Sequence, residues 1–373
     1  MSDNTIGNNI RRLRLARGLT QDEVADRANV SIASLRNYES GRAIPKVNTL
    51  MAIARELGAG LNDVVSEPKV LTAVRFRAHK RLNTRDQILV DAANWLEDFV
   101  SLEEITEDRA EWRLADLGAT SPEAAAGKVR HRLRLTDTEP IRDICGLLES
   151  CGVKVFPRPV SSEHFFGLSI GAADGGPAIV VNTWERIPVE RWIFTAAHEL
   201  GHILLHADSF KIDEYDENDE QEDEANRFAS YFLMPDNLFD KEWSESVGQP
   251  LLDRVLKIKR MLRVSYATVL YRLHEKRYPH VWESFHSQYQ RRFGRSLGRR
   301  DEPKPLTPEA FKVVEDKASR EPKRLDGIDF LEDRLSKLVR NALERELITR
   351  DRAAEILRIT PEDMIQRIQD WAA

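Results

Sequence analysis

The sequence predicts a multidomain, mainly α protein with an α+β core, an all-α N-terminal domain and a small helical C-terminal domain. Three observations carry this reading. At 373 residues the chain is too long for one ordinary core. Apolar residues recur at helical spacing over most of its length. Past Asp137 that pattern yields to short strand-like runs and Gly-rich turns before helix returns. The expected boundaries are 1–66 for the N-terminal domain, 67–135 for a helical spacer, 136–290 for the α+β domain, and 291–373 for a linker and helical C-terminal domain.

Along residues 1–66, "IGNNIRRLRLARG" spaces Ile6, Ile10 and Leu13 for a helix that stops near Gly18. Thr20, with Glu23 three positions on, makes a capping box. A third helix starts at Ser31, turns Leu35 and Tyr38 inward and ends at Gly41; Thr49 is the expected cap of a fourth, with Leu50, Ile53, Ala54 and Leu57 as its stripe. From about 70 to 130 the chain reads as helix throughout, with Ile88, Ala92, Trp95, Leu96 and Phe99 on one stripe and no visible chemistry. In the α+β region, "VKVFP", "FFGLSI" and "PAIVVN" read as strands around the turn "GAADGG". Helix resumes in "PVERWIFTAAHELGHILLH" and "ANRFASYFLMP", the latter stopped before Pro235. Thr349 and Thr360 can each cap a C-terminal helix, with Pro361 at a first-turn position.

With 41% hydrophobic and 32% charged residues the chain has the composition of a soluble globular protein, and its net charge of -6 excludes little. There is no apolar run of membrane-spanning length and no signal-peptide pattern, so a cytoplasmic protein without membrane attachment is expected. Cys145 and Cys151 make no disulfide framework and have no companions for a metal site.

The chemistry concentrates in "AAHELGHILLHAD", residues 196–208. On a helix, His198 and His202 share a face and can offer two imidazoles to one ion, while Glu199 sits one step round, placed to address water. His206 lies roughly 12 Å along the axis from His198 and is not expected to be a ligand; a polar helix end is the simpler role. The third ligand has to come from another element. Glu224 is preferred because helical spacing sets it over Phe228 and near Phe232, with Glu220, Glu222 and Asp223 as rivals. Most of the nine acidic groups in "KIDEYDENDEQEDE" are expected to stay in water.

"IFTAAHELGHILLH" followed by "EDEANRFASYFLMP" resembles the ImmA/IrrE family of zinc-dependent metallopeptidases over roughly residues 140–240, and "GPAIVVN" is similar to the family's strand before its active-site helix. The resemblance implies a metallopeptidase core in which His198, His202 and Glu224 bind Zn2+, with Mn2+ as an alternative, and Glu199 is the general base. Tyr231 and Phe232 stand where that family more often has small or aliphatic residues. An oxyanion donor is also required, and His164, Tyr215, Tyr231 and Tyr266 are all available.

"GLTQDEVADRANVSIASLRNYESGRAIPKVNTLMAIARELG" is similar to the Xre/Cro-type helix-turn-helix of phage repressors over about residues 6–65. The resemblance implies that the third helix, about Ser31 to Glu39, enters the major groove of double-stranded operator DNA. Ile32, Ala33 and Asn37 then face the groove, Arg36 reaches phosphate or base, and Gln21 addresses a phosphate. Ile32 and Ala33 can touch only thymine methyls, while Asn37 can pair with adenine. That limits discrimination and makes a homodimer the expected binding form. Nine Lys/Arg against seven Asp/Glu over residues 1–65 fit specific rather than generic polyanion binding. Glu39 and Arg42 are expected to form a local surface ion pair.

Together these features predict a DNA-binding regulator with zinc-dependent endopeptidase activity, and the resemblance to the ImmA/IrrE family implies that its substrate is a helix-turn-helix repressor of a stress, phage or mobile-element operon. The competing class is a transcriptional regulator whose peptidase-like domain senses a signal or dimerises without hydrolysis.

Overall fold

The structure, a computed structural model, describes residues 4–17, 19–65, 71–78, 85–115, 117, 121–210, 218–298, 301–303 and 325–372. The chain forms two compact units that interleave in sequence: Met1–Leu71 with Lys80–Arg109 and Leu335–Ala373, and Thr72–His79 with Ala110–Arg334. It is mostly helical with a small sheet, as the sequence predicts.

The first unit opens with α1 (Thr5–Ala16), α2 (Gln21–Arg27), α3 (Ile32–Glu39), α4 (Val47–Glu56) and α5 (Leu61–Val65). Ile10, Leu13, Val24, Leu35, Ile53 and Leu57 share their core. The Thr20–Glu23 capping box forms, and the Ser31 hydroxyl caps α3 by accepting from the Ser34 N–H. Helix α4 begins before the expected cap: Lys46 is its N-cap residue, and Thr49 lies inside the first turn. Glu39 does not pair with Arg42. Its carboxylate is buried and held by Arg14, Nε to Oε1 at 2.6 Å and Nη2 to Oε2 at 2.9 Å. Removing one member of a buried pair leaves a desolvated charge behind. Arg14→Ala is therefore expected to cost about 3–5 kcal/mol in denaturant unfolding of this unit, and replacing both residues by methionine should recover most of it. A loss no larger than that of an exposed pair would show that water reaches Glu39.

The spacer expected over 67–135 is not one element. Its long helix, α6 (Arg85–Ile105), buries the predicted stripe of Ile88, Ala92, Trp95, Leu96 and Phe99 in the first unit. The C-terminal residues, expected as a domain of their own, join the same unit through the later helices 334–344, 350–357 and 361–372. Arg352 pairs with Asp98, Arg358 donates to the Asp91 carbonyl and Arg345 to the Thr106 carbonyl. Thr349 and Thr360 cap the last two of these helices, as expected.

The second unit begins with β1 (Val74–Ala78), a strand inside the region read as wholly helical. There follow α7 (Pro122–Arg132), α8 (Ile144–Ser150), β2 (Lys154–Pro157), β3 (Phe165–Ile170), β4 (Ala178–Val181), α9 (Val189–Leu205) and α10 (Asp219–Leu233). The sheet order is β1-β3-β4-β2, with β1 and β4 antiparallel to β3 and β2 parallel to β4. The "VRFRA" of β1 alternates apolar and basic residues, the period-2 signal of a half-buried strand. Helix α9 packs against β3 and β4 and against α10. Then come α11 (Asp236–Glu245), α12 (Leu251–Leu262), α13 (Tyr266–Glu275) and α14 (Val281–Phe293). The three C-terminal helices of the first unit are α15 (Arg334–Glu344), α16 (Arg350–Leu357) and α17 (Pro361–Ala372). Among the described residues no helix is long and apolar enough to cross a membrane. Both cysteines are free and buried, and burial pushes the Cys151 thiol up to about 12, so neither offers a thiolate at neutral pH.

Candidate metal centre and nucleic-acid interface

Two close approaches build the centre on α9. A Cβ on Gly201 would meet the Phe228 side chain at 3.0 Å and the Ala225 Cα at 3.3 Å, so glycine is what lets α10 lie this near. On the sheet side, a Cβ on Gly167 would meet Thr195 Cγ2 at 2.6 Å and the Val180 carbonyl at 2.8 Å. The helix is thus clamped between β3 and α10, with His198, Glu199 and His202 all fully buried.

Within this clamp His198 and His202 turn their Nε2 atoms to each other at 2.9 Å. The third group is Glu222, with Oε1 3.2 Å from His202 Nε2 and Oε2 3.4 Å from His198 Nε2. Glu224, the residue preferred from sequence, is not in the cluster. Its side chain is 43% exposed and accepts from His206 Nε2 at 2.8 Å. The phase of α10 explains the difference. At about 100° per residue, Glu222 falls about 20° from the buried Ala229, whereas Glu224 falls about 140° away. Glu222 thereby shares the inward face with Ala225 and Phe232. Glu220 and Asp223 are likewise absent from the group of His198, His202 and Glu222 that could hold an ion.

The donor set fits a divalent cation. Tetrahedral coordination with bonds of about 2.0–2.1 Å separates neighbouring ligand atoms by about 3.3 Å, close to the three spacings found. Each imidazole is also anchored on its far nitrogen. His198 Nδ1 lies 3.0 Å from Asn226 Oδ1, and His202 Nδ1 lies 2.9 Å from His206 Nδ1. Bonds at Nδ1 leave the Nε2 lone pairs facing the cluster, the usual support for a metal-ligating histidine. Burial, opposed in part by Glu222, pushes His202 down to about 4 and so keeps it neutral. Burial likewise lowers His206.

Glu199 accepts a hydrogen bond from Ser169 Oγ of β3 at 2.8 Å. Arg75 of β1 reaches the same centre, donating to Glu222 Oε1 at 3.3 Å and to Gln221. Asn226, Ser169 and Arg75 went unnoticed in the sequence, and only Arg75 left a trace there, in the alternation of β1. Of the proposed oxyanion donors, Tyr266 stacks on Phe285 and Tyr231 lies beneath the Arg272 guanidinium, so both rings are committed to packing. Tyr215 falls outside the described residues, and His164 donates its backbone N–H to Ser162 Oγ.

In the first unit, Ile32, Ala33 and Arg36 lie exposed on one face of α3, with Asn37 half-buried beside them. Gln21 is held from two sides, donating to Glu39 Oε2 at 2.7 Å and accepting from Arg36 Nε at 3.2 Å. An open cleft alongside is lined by Arg11, Arg14, Thr20, Gln21, Arg36, Glu39 and Ser40, with Arg14 and Gln21 donating to the Glu39 carboxylate. Arg11, Arg14 and Ser40 were not singled out from the sequence, and Thr20 was read only as a helix cap.

Residues 10–64 match the helix-turn-helix family model, and residues 148–274 match the peptidase family model described as IrrE N-terminal-like domain. Over 61 residues the chain is 41% identical to the uncharacterized HTH-type transcriptional regulator y4dJ of Sinorhizobium fredii, covering 16% of this chain and 79% of that protein. Over 67 residues it is 36% identical to the immunity repressor protein of Bacillus phage phi105, covering 18% of this chain and 46% of that protein. The chain thus spans about half the length of that phage repressor. Among solved structures, Bacillus thuringiensis PlcR in complex with the peptide PapR7 and DNA aligns over 98% of both chains at 13% identity and a TM-score of 0.19. The apo form of ComR from S. thermophilus aligns over 92% of this chain and 95% of that one, at 11% identity and a TM-score of 0.17. By its sequence matches the chain belongs to the helix-turn-helix regulators through residues 10–64 and carries an IrrE N-terminal-like peptidase-family domain over residues 148–274.

Proposed function

We propose that the protein is a cytoplasmic, DNA-binding regulator with metal-dependent endopeptidase activity directed at a helix-turn-helix repressor. The observation that carries this reading is the convergence of His198, His202 and Glu222 beside Glu199. Zn2+ or Mn2+ held by these three residues supplies Lewis acidity and acidifies water. Burial keeps the imidazole of His202 neutral and available as a donor. Ser169 fixes the Glu199 carboxylate, which takes the proton from attacking water and delivers it to the leaving peptide nitrogen.

The deciding experiment incubates the zinc- or manganese-loaded full chain with candidate repressors, itself included, with and without chelator, and maps fragments by mass spectrometry. Metal-dependent cuts at defined peptide bonds support the reading. Absence of any metal-dependent cut supports the second one, a regulator whose peptidase-like domain senses or dimerises. That alternative has its own observation in the complete burial of Glu199.

For the DNA-binding half, a homodimer presenting Ile32, Ala33, Arg36 and Asn37 to the major groove, with Gln21 at a phosphate, is the proposed arrangement. Replacing Arg36 and Asn37 together by alanine is expected to weaken promoter binding by about 10–1000-fold in a mobility-shift assay at fixed salt. Equal affinity of the two proteins would place the reading surface elsewhere.

A further inference from the structure

Every strand of the sheet is contributed by the chain's peptidase region except one. In sequence, β1 lies between α5 and α6, both elements of the other unit, yet it pairs with β3 directly above the metal centre. Without β1, β3 would be the sheet's edge, and β3 is the strand whose Gly167 and Ser169 touch α9. An exposed edge of this kind takes an extended peptide by adding it as a further strand. The register then puts Arg75 opposite Ser169, the residue that holds Glu199. From there the Arg75 side chain, 13% exposed, reaches Glu222 Oε1, the oxygen nearest His202 Nε2. A guanidinium therefore sits on a carboxylate oxygen that a divalent cation would need.

We infer that β1 is a built-in occupant of the substrate edge: an extended segment of the chain itself, seated where a substrate peptide pairs with β3, with Arg75 competing with metal for Glu222. The inference rests on the reading of this centre as a peptidase site, and it names the substrate class as an extended segment with alternating apolar and basic side chains. The strand is built to be displaced. It has five residues, a single neighbouring strand and a register irregularity between Arg77 and Ala78. At its start it is latched by one carboxylate. Asp174 accepts from the Thr72 N–H, the Thr72 hydroxyl and the Ala73 N–H at 2.6–2.7 Å. Asp174 lies in the turn before β4, away from Glu222 in sequence and outside the donor group.

Two variants of the full chain separate the parts. Arg75→Ala removes the competing cation and is expected to tighten zinc binding by about tenfold, measured by competition with a chromogenic chelator. Had Arg75 merely oriented Glu222 for metal, the same change would weaken zinc. Asp174→Ala leaves the centre intact and loosens the strand. It is expected to speed amide exchange in β3 and to bind a labelled peptide of residues 74–78, VRFRA, which carries none of the groups that Asp174 holds, at least about tenfold more tightly than wild type. Peptide binding and exchange are read without metal, so failure of the wild-type chain to bind zinc counts against the proposed function and leaves these two readouts to test the strand. Zinc affinity unchanged or weaker in Arg75→Ala, or peptide affinity in Asp174→Ala no better than in wild type, overturns the inference.

Discussion

Glu199→Gln is expected to lower the rate of metal-dependent repressor cleavage by about 10²–10⁴, the usual cost of losing a general base, while metal and operator binding stay near wild type. The size of the effect follows from what the substitution leaves in place. Glutamine keeps the length of the side chain and can still accept from Ser169 Oγ, so the contact between β3 and α9 persists. Neither histidine nor Glu222 is altered. What disappears is the ability to hold a proton between attack and departure of the amine. Cleavage by the variant at wild-type rate would assign the base to another group or the cuts to a contaminating protease. The assay therefore needs both proteins purified in parallel and the same fragments sought in each.

Glu222→Ala is expected to reduce metal affinity by several orders of magnitude, because two imidazoles alone then remain of the donor set. Glu224→Ala separates the two acidic candidates. Glu224 touches His206, and His206 touches His202 at Nδ1, so its loss acts through two bonds and should weaken binding by no more than about 10–100-fold. His206→Ala falls in the same range, since it removes the partner that fixes the His202 ring. Metal content by mass spectrometry and affinity by chelator competition report all three. A Glu224→Ala loss larger than that of Glu222→Ala would reinstate Glu224 as the ligand.

The caps at Thr20, Ser31, Thr349 and Thr360 were legible because each is a local pattern, a hydroxyl followed three residues later by the N–H or carboxylate that answers it. The pair His198 and His202 was legible for the same reason, since helix spacing alone places them together. Glu222 was legible only as one of several carboxylates. The choice among them depends on the phase of α10 against α9, and that phase is fixed by packing around Gly201 and Phe228, residues from two helices. Stripe arguments using Phe228 and Phe232 alone favoured the wrong side of α10. The strand β1 was hidden by its length and by its neighbours: five residues of alternation carry little weight beside a 21-residue helix. The assignment of residues 335–373 to the first unit could not be read locally at all. It rests on Arg345, Arg352 and Arg358 meeting groups on and beside α6.

The interleaving of the two units sets the order in which the protein can be completed during synthesis. Helices α1–α5 share a core made from one early stretch of chain and can close as soon as they clear the ribosome. Helix α6 can already meet α1 and α5, through Arg12 on Gln87 and Asn94 on Asp63, but its bonds to Arg352 and Arg358 arrive only after the entire sheet has been translated. For the same reason the obvious scissors cut is a poor one. A recombinant peptidase fragment starting at residue 110 carries β3 without β1 and presents a bare row of backbone N–H and C=O groups to its own copies. Such a fragment is prone to strand-to-strand aggregation, whereas one that starts at residue 71 keeps its first strand and its edge covered.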